Sequence, residues 1–101
     1  MAYKREDSFD WNDLEDRDKY IYVLVAKSLL CRQIETPEEV HSYWKKLMLQ
    51  NGHKYREDET NIFRKWDSAL TNWKNLSTFD KERFYLLTAL ILSLKEFFLE
   101  V

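Results

Sequence analysis

Thr36-Pro37-Glu38-Glu39-Val40-His41-Ser42-Tyr43-Trp44-Lys45-Lys46-Leu47-Met48-Leu49-Gln50-Asn51-Gly52 contains the lone proline and the lone glycine of this chain, and its reading decides the fold. Thr36 offers a side-chain oxygen as N-cap. Pro37 takes the first helical position, where its missing N–H costs nothing, and Glu39 completes a capping box. Val40, Tyr43, Trp44, Leu47 and Met48 fall on one face of the helix so begun. Asn51-Gly52 ends it, with Gly52 able to take the left-handed conformation beyond the C-cap. With one glycine and one proline in 101 residues, the chain has few places for tight hairpins or positive-φ corners. The remainder is therefore expected to be helical too.

Toward the N-terminus, a first helix is expected from about Trp11 to Gln33, capped by Asp10 or Asn12 and with Asp13, Glu15 and Asp16 at the positive end of its dipole. Leu14, Ile21, Leu24, Val25 and Leu29 share a face. Within it, Tyr20-Ile21-Tyr22-Val23-Leu24-Val25 is β-branched and aromatic like a buried strand. The helical pattern continues on both sides with no turn residue between, so length argues for helix, while a strand stays open as the alternative. Residues 1–9 are charged and aperiodic and are read as an N-terminal arm, leaving residues 10–101 as one domain.

Toward the C-terminus, His53 to Glu59 reads as a charged connector. A third helix is expected from about Glu59 to Leu76, because Ile62, Phe63, Trp66, Leu70, Trp73 and Leu76 recur at helical spacing. Ser77-Thr78 breaks the pattern and caps a fourth helix running to about Leu99. Its stretch Phe84 to Leu94 is apolar on nearly every side, which places this helix at the centre of the domain or at a dimer seam. The expected fold is all-α, a compact antiparallel bundle of about four helices.

Charged residues make up 34% and aromatics 16%, a balance that fits a packed core under a charged exterior rather than a disordered chain. The net charge of −2 supplies no global attraction to nucleic acid or membrane. Locally the charge is uneven. Residues 4–18 hold seven acids and three bases, a net of −4, and residues 41–65 hold six bases and three acids, a net of +3. The polar start of the chain speaks against a secretory signal, and no apolar run reaches the ~20 residues of a membrane span. A cytoplasmic location is expected.

Catalytic groupings are sparse. Cys31, His41 and His53 show no metal-ligand spacing, so no metal or cofactor is expected. Cys31 with His41 is the lone Cys/His combination, and Cys31 reads by default as a small buried hydrophobe. The paired carboxylates sit at helix starts or in the charged loop, where capping and solubility account for them. The sequence thus reads as a non-enzymatic protein-binding module: an inhibitor, immunity-type factor or adaptor, of the kind a phage or mobile element encodes. Aromatics outside the periodic stripes, Trp11, Tyr20 and Tyr22, are its candidate anchors, since aromatic side chains bring large contact area with a polar tip. Lys45, Lys46, Lys54, Tyr55 and Arg56 are the candidate basic contacts. Two alternatives stand beside this reading: a nucleic-acid-binding regulator using those bases, and a self-assembling subunit, such as a homodimer through the last helix.

Overall fold

The computed structural model describes residues 11–57, 60–61 and 63–99, so the expected arm lies outside the described residues. Three helices form: α1 (Asp16–Leu30), α2 (Pro37–Gln50) and α3 (Thr78–Leu99), each packed on the other two. Two short strands, β1 (Lys54–Tyr55) and β2 (Trp66–Asp67), pair in parallel, with Lys54 opposite Trp66 and Tyr55 opposite Asp67. Turns of 3₁₀ helix occupy Trp11–Asp13 and Trp73–Asn75. The molecule is mostly helical, but it is not the four-helix antiparallel bundle expected: among the described residues of the expected third helix, β2, a 3₁₀ turn and irregular backbone take its place, and β1 lies in the expected connector.

Local chemistry accounts for α2. The Glu39 N–H donates to Thr36 Oγ1 at 3.2 Å, and the Thr36 N–H donates to Glu39 Oε1 at 3.2 Å, which closes the capping box. Hydrogen bonds from the Glu35 N–H and from Thr36 to the same carboxylate hold Glu39 below the usual glutamate pKa. At the other end Gly52 adopts φ +87°, the Gly52 N–H reaches Leu49 O, and the His53 N–H reaches Met48 O at 3.0 Å. This pair of bonds is a Schellman motif.

The same motif ends α1, with an arginine where glycine is usual. Arg32 has φ +59°, its N–H donates to Leu29 O, and the Gln33 N–H donates to Ser28 O at 2.9 Å. One glycine therefore does not bound the number of left-handed corners: Arg32 and Lys65 both take them, at a cost of about 1–2 kcal/mol each. The start of α1 also differs from expectation. It begins at Asp16 rather than Trp11, and Glu15, not Asp10 or Asn12, is the N-cap. Residues 20–25 lie inside this helix, and Ile21, Val25 and Leu29 face the core.

Between residues 53 and 77, polar side chains take the backbone groups that a helix would need. Asn61 Oδ1 accepts from the N–H groups of Phe63 and Arg64. Asp67 Oδ1 accepts from the Ala69 N–H at 2.8 Å, and Thr60 Oγ1 from the Ser68 N–H. Such short-range side-chain bonds compete directly with the helical ladder. The expected stripe is consequently split: Leu70 and Leu76 are buried, Trp66 and Trp73 are half-buried, and Phe63 stands in solvent.

The core gathers Ile21, Val25 and Leu29 of α1, Val40, Trp44 and Met48 of α2, Ala69, Leu70 and Leu76 of the irregular segment, and Phe84 and Ile91 of α3. Trp44 is at its centre, fully buried, and meets Phe84 edge-on at 5.0 Å between ring centroids. Its indole hydrogen bonds to the Tyr22 hydroxyl, so the polar atom of the largest core side chain is satisfied. On α3, Ser77 Oγ accepts from the Asp80 N–H and caps the helix as expected.

Candidate functional site

Three buried polar groupings tie the irregular segment to the helices. In the first, Asp18 Oδ1 accepts from Asn51 Nδ2 at 2.7 Å and meets His53 Nε2 at 3.0 Å, which joins α1 to the end of α2. In the second, the Arg83 guanidinium grips both oxygens of Asp67 at 3.0 and 3.2 Å and touches Asp80 at 3.1 Å. Ser68 Oγ donates to Asp80 at 2.8 Å. Burial alone would lower the pKa of Arg83, but the Asp67 charge and hydrogen bonds outweigh it and raise it. The third is His41, enclosed by Trp44, Trp73 and Phe84, with Nε2 at 2.8 Å from Ala69 O. A carbonyl only accepts, so Nε2 carries the hydrogen and Nδ1 is left buried without a partner. Burial pushes the His41 pKa down, and the ring is held neutral.

Apart from His41 Nδ1, these groups are occupied with one another or with the backbone. Cys31 is exposed at the end of α1, not the small core residue expected, while His41 is spent on Ala69 in the interior. Among the described residues, no three His, Cys, Asp or Glu side chains are grouped to hold a metal ion, and no helix is long and apolar enough to cross a membrane.

The surface is more informative. Phe84, Thr88 and Ile91 turn α3 toward the core, which leaves Leu86, Leu90 and Leu94 in water at 70%, 60% and 45% exposure. They follow each other at four-residue intervals and form one ridge. Ala89 and Ser93, both exposed, lie beside it, and Tyr85 and Phe79 extend the apolar area. Large contiguous apolar surface of this sort marks contact sites in soluble proteins. The sequence singled out the helix but not the face, because a segment apolar all round gives no sign of which side the rest of the chain will cover.

A second feature is an open groove of about 390 Å³ between α1 and α2, lined by Asp16, Arg17, Tyr20 and Ile21 of the one and by Leu47, Gln50 and the following Asn51 of the other. Tyr20, one of the expected anchors, forms part of its wall. Tyr22 points the other way, since two helical residues are about 200° apart. Its hydroxyl is engaged by Trp44, and burial raises its pKa. Trp11 lies in the first 3₁₀ turn, and its side chain is outside the described residues.

The basic residues separate into two places. Lys45 reaches Asn72 Oδ1 at 3.4 Å, beside the second 3₁₀ turn, and Lys46 is exposed on α2. Lys54, Tyr55 and Arg56 lie along β1 and its exit, where the turn 61–66 brings further groups to them. The Arg56 guanidinium sits 4.4 Å from the Trp66 ring centre, and that of Arg64 sits 5.1 Å from it. Residues paired across a ladder share a side. Lys54 therefore sides with Trp66 and Arg56, while Tyr55 is directed away. Phe63 and Trp66 escaped the sequence reading because their spacing matched a helical stripe. Asn61, a residue favoured in turns, was the signal that could have placed them at a tip.

No protein-family model, no curated protein and no solved structure matches this chain, so its function has to be argued from these surfaces alone.

Proposed function

We propose that this chain is a small non-enzymatic protein-binding module, of the inhibitor, immunity-factor or adaptor kind, and that it docks through the outer face of α3. The observation that carries the reading is the exposed ridge Leu86-Leu90-Leu94 on a helix whose opposite side buries Phe84, Thr88 and Ile91. Covering one leucine returns about 1.5–3 kcal/mol. The ridge is presented by a helix already ordered by its inner face, so docking spends little on immobilising the backbone. The ionic and hydrogen-bonding groups of the interior hold the scaffold and leave the apolar face as the place where binding energy is available.

The test is a double substitution, Leu86→Glu with Leu90→Glu, in protein tagged and recovered from the cells that make it. The parent is expected to co-purify a stoichiometric protein partner at low salt and the variant to lose it, with helical circular dichroism unchanged. Recovery of the same partner by both proteins would overturn the reading, as would a parent that recovers none. Sedimentation equilibrium on the same pair addresses the self-assembly alternative: a parent dimer that becomes monomeric in the variant identifies the partner as a second copy.

A further inference from the structure

The turn 61–66 lies apart from α3 and has its own construction. The Asn61 N–H donates to Trp66 O at 2.9 Å and the Trp66 N–H to Asn61 O at 3.0 Å, which closes the loop. Asn61 Oδ1 accepts from the N–H groups of Phe63 and Arg64 at 3.1 and 3.2 Å. Lys65 turns back in the left-handed region and anchors the base, donating to Asn51 O and pairing with Glu15 at 3.5 Å. The turn so bonded carries Phe63, whose side chain is 69% exposed. A phenylalanine so exposed has no role in the core of this molecule.

Cations gather at Trp66, in the same turn. Arg56 and Arg64 are placed by the Trp66 ring rather than by carboxylates: among the described residues neither makes an ion pair. A guanidinium on an aromatic face keeps its N–H donors at the rim, free for phosphate oxygens. Lys54 joins on the same side of the ladder. In the sequence, Glu57, Asp58 and Glu59 follow Arg56 directly and are the opposing charges of this segment; of these Glu57 is described, and it is exposed. Three cations and one exposed flat ring meet the two needs of a single strand: phosphate neutralisation along its backbone and a platform for a base.

We propose that this turn binds single-stranded nucleic acid, with Lys54, Arg56 and Arg64 on successive phosphates and Phe63 stacked on a base. An acidic protein segment would use the same cations but gains nothing comparable from a stacking ring, and this difference separates the two occupants. The α3 face takes no part, so the protein-docking reading stands or falls separately.

The experiment is fluorescence anisotropy with a labelled oligothymidine of roughly twelve nucleotides, a length in the range such sites cover. The parent protein is expected to bind. Its affinity should fall about 15- to 20-fold between about 50 and about 200 mM salt, the slope for three phosphate contacts on a single strand. Phe63→Ala should weaken binding about tenfold without changing that slope, as loss of one stacked base does. Arg64→Ala should weaken binding and flatten the slope by about one phosphate. Both residues are exposed, and circular dichroism checks that both variants fold like the parent. Three results would overturn the proposal: no anisotropy change for the parent at low salt, binding unaffected by Phe63→Ala, or a polyglutamate peptide bound as tightly as the oligonucleotide.

Discussion

The two sides of α3 are built from similar residues and meet opposite surroundings. Phe84 and Ile91 are covered by α1, α2 and the irregular segment, whereas Leu86, Leu90 and Leu94, a few residues away on the same helix, face water. Apolar character is therefore no measure of what a residue contributes to the fold. A side chain stabilises the native state by the surface that folding removes from water, and on the outer side folding removes little. The outer leucines leave that contribution unrealised within the molecule.

Substitutions on the two sides give the widest contrast. Phe84→Ala should cost about 3–5 kcal/mol, because it opens a cavity among Trp44, Trp73 and His41. Leu90→Ala should stay within about 0.5 kcal/mol of the parent. Urea denaturation measures both. A large loss at Leu90 would mean that the outer side is covered within the molecule, and the comparison would collapse.

Next in size is the dependence of the segment 53–77 on polar ties. Asp67→Ala removes the bidentate partner of Arg83 and an acceptor for the Ala69 N–H. The expected loss is about 2–3 kcal/mol in urea. It falls below the cost of breaking a wholly buried pair because the Arg83 side chain is 29% exposed. A loss confined to a few tenths would show that this segment is held by its buried Ala69, Leu70 and Leu76 instead.

His41 supplies a pH-dependent version of the same test. Its folded pKa lies below the usual histidine value, so between about pH 6.5 and the folded pKa the unfolded chain binds the proton and the native state does not. Stability is fully present above about pH 6.5 and declines as the pH falls through that window, by at most about 1.4 kcal/mol per pH unit for one proton. Urea midpoints measured from pH 7.5 down to 5 should follow this slope in the parent, and His41→Gln should flatten it. An unchanged slope would move the effect to another group.

The smallest effects separate the two helix ends. Gly52→Ala should cost about 1 kcal/mol through its φ of +87° alone, since a Cβ there meets nothing within 4 Å. Arg32→Gly should stabilise by about 0.5–1 kcal/mol, because it relieves the same conformation in α1. Thermal melts resolve both signs. Opposite signs are the point: one motif occurs twice, once with the residue that suits it and once without.

Only the first of these two ends could be read from the residues. Gly52 announces its turn, while Arg32 takes the same one because Ser28 and Leu29 offer carbonyls and the chain must reach α2. The candidate surfaces divide in the same way. Lys54 and Arg56 were recognisable as a basic run, but their alignment with Trp66 and Arg64 needs the parallel pairing of β1 with β2, two segments separated by a turn that resembles a helix in its spacing. Tyr20 and Tyr22 carried equal weight in the sequence, and the helical turn between them put one in a groove and the other against Trp44.

By itself the sequence determined the body of α1, the whole of α2 with both its caps, and the start of α3 at Ser77. These depend on contacts within four or five residues, and such contacts are written locally. Tertiary structure alone decided the rest. Asp67 is fixed by Arg83, Asp18 by His53 and Asn51, and His41 by Ala69, each from a distant part of the chain. With those ties in place, the described residues between 53 and 77 form two short strands, a 3₁₀ turn and irregular backbone, three helices share the core, and one leucine ridge is left exposed.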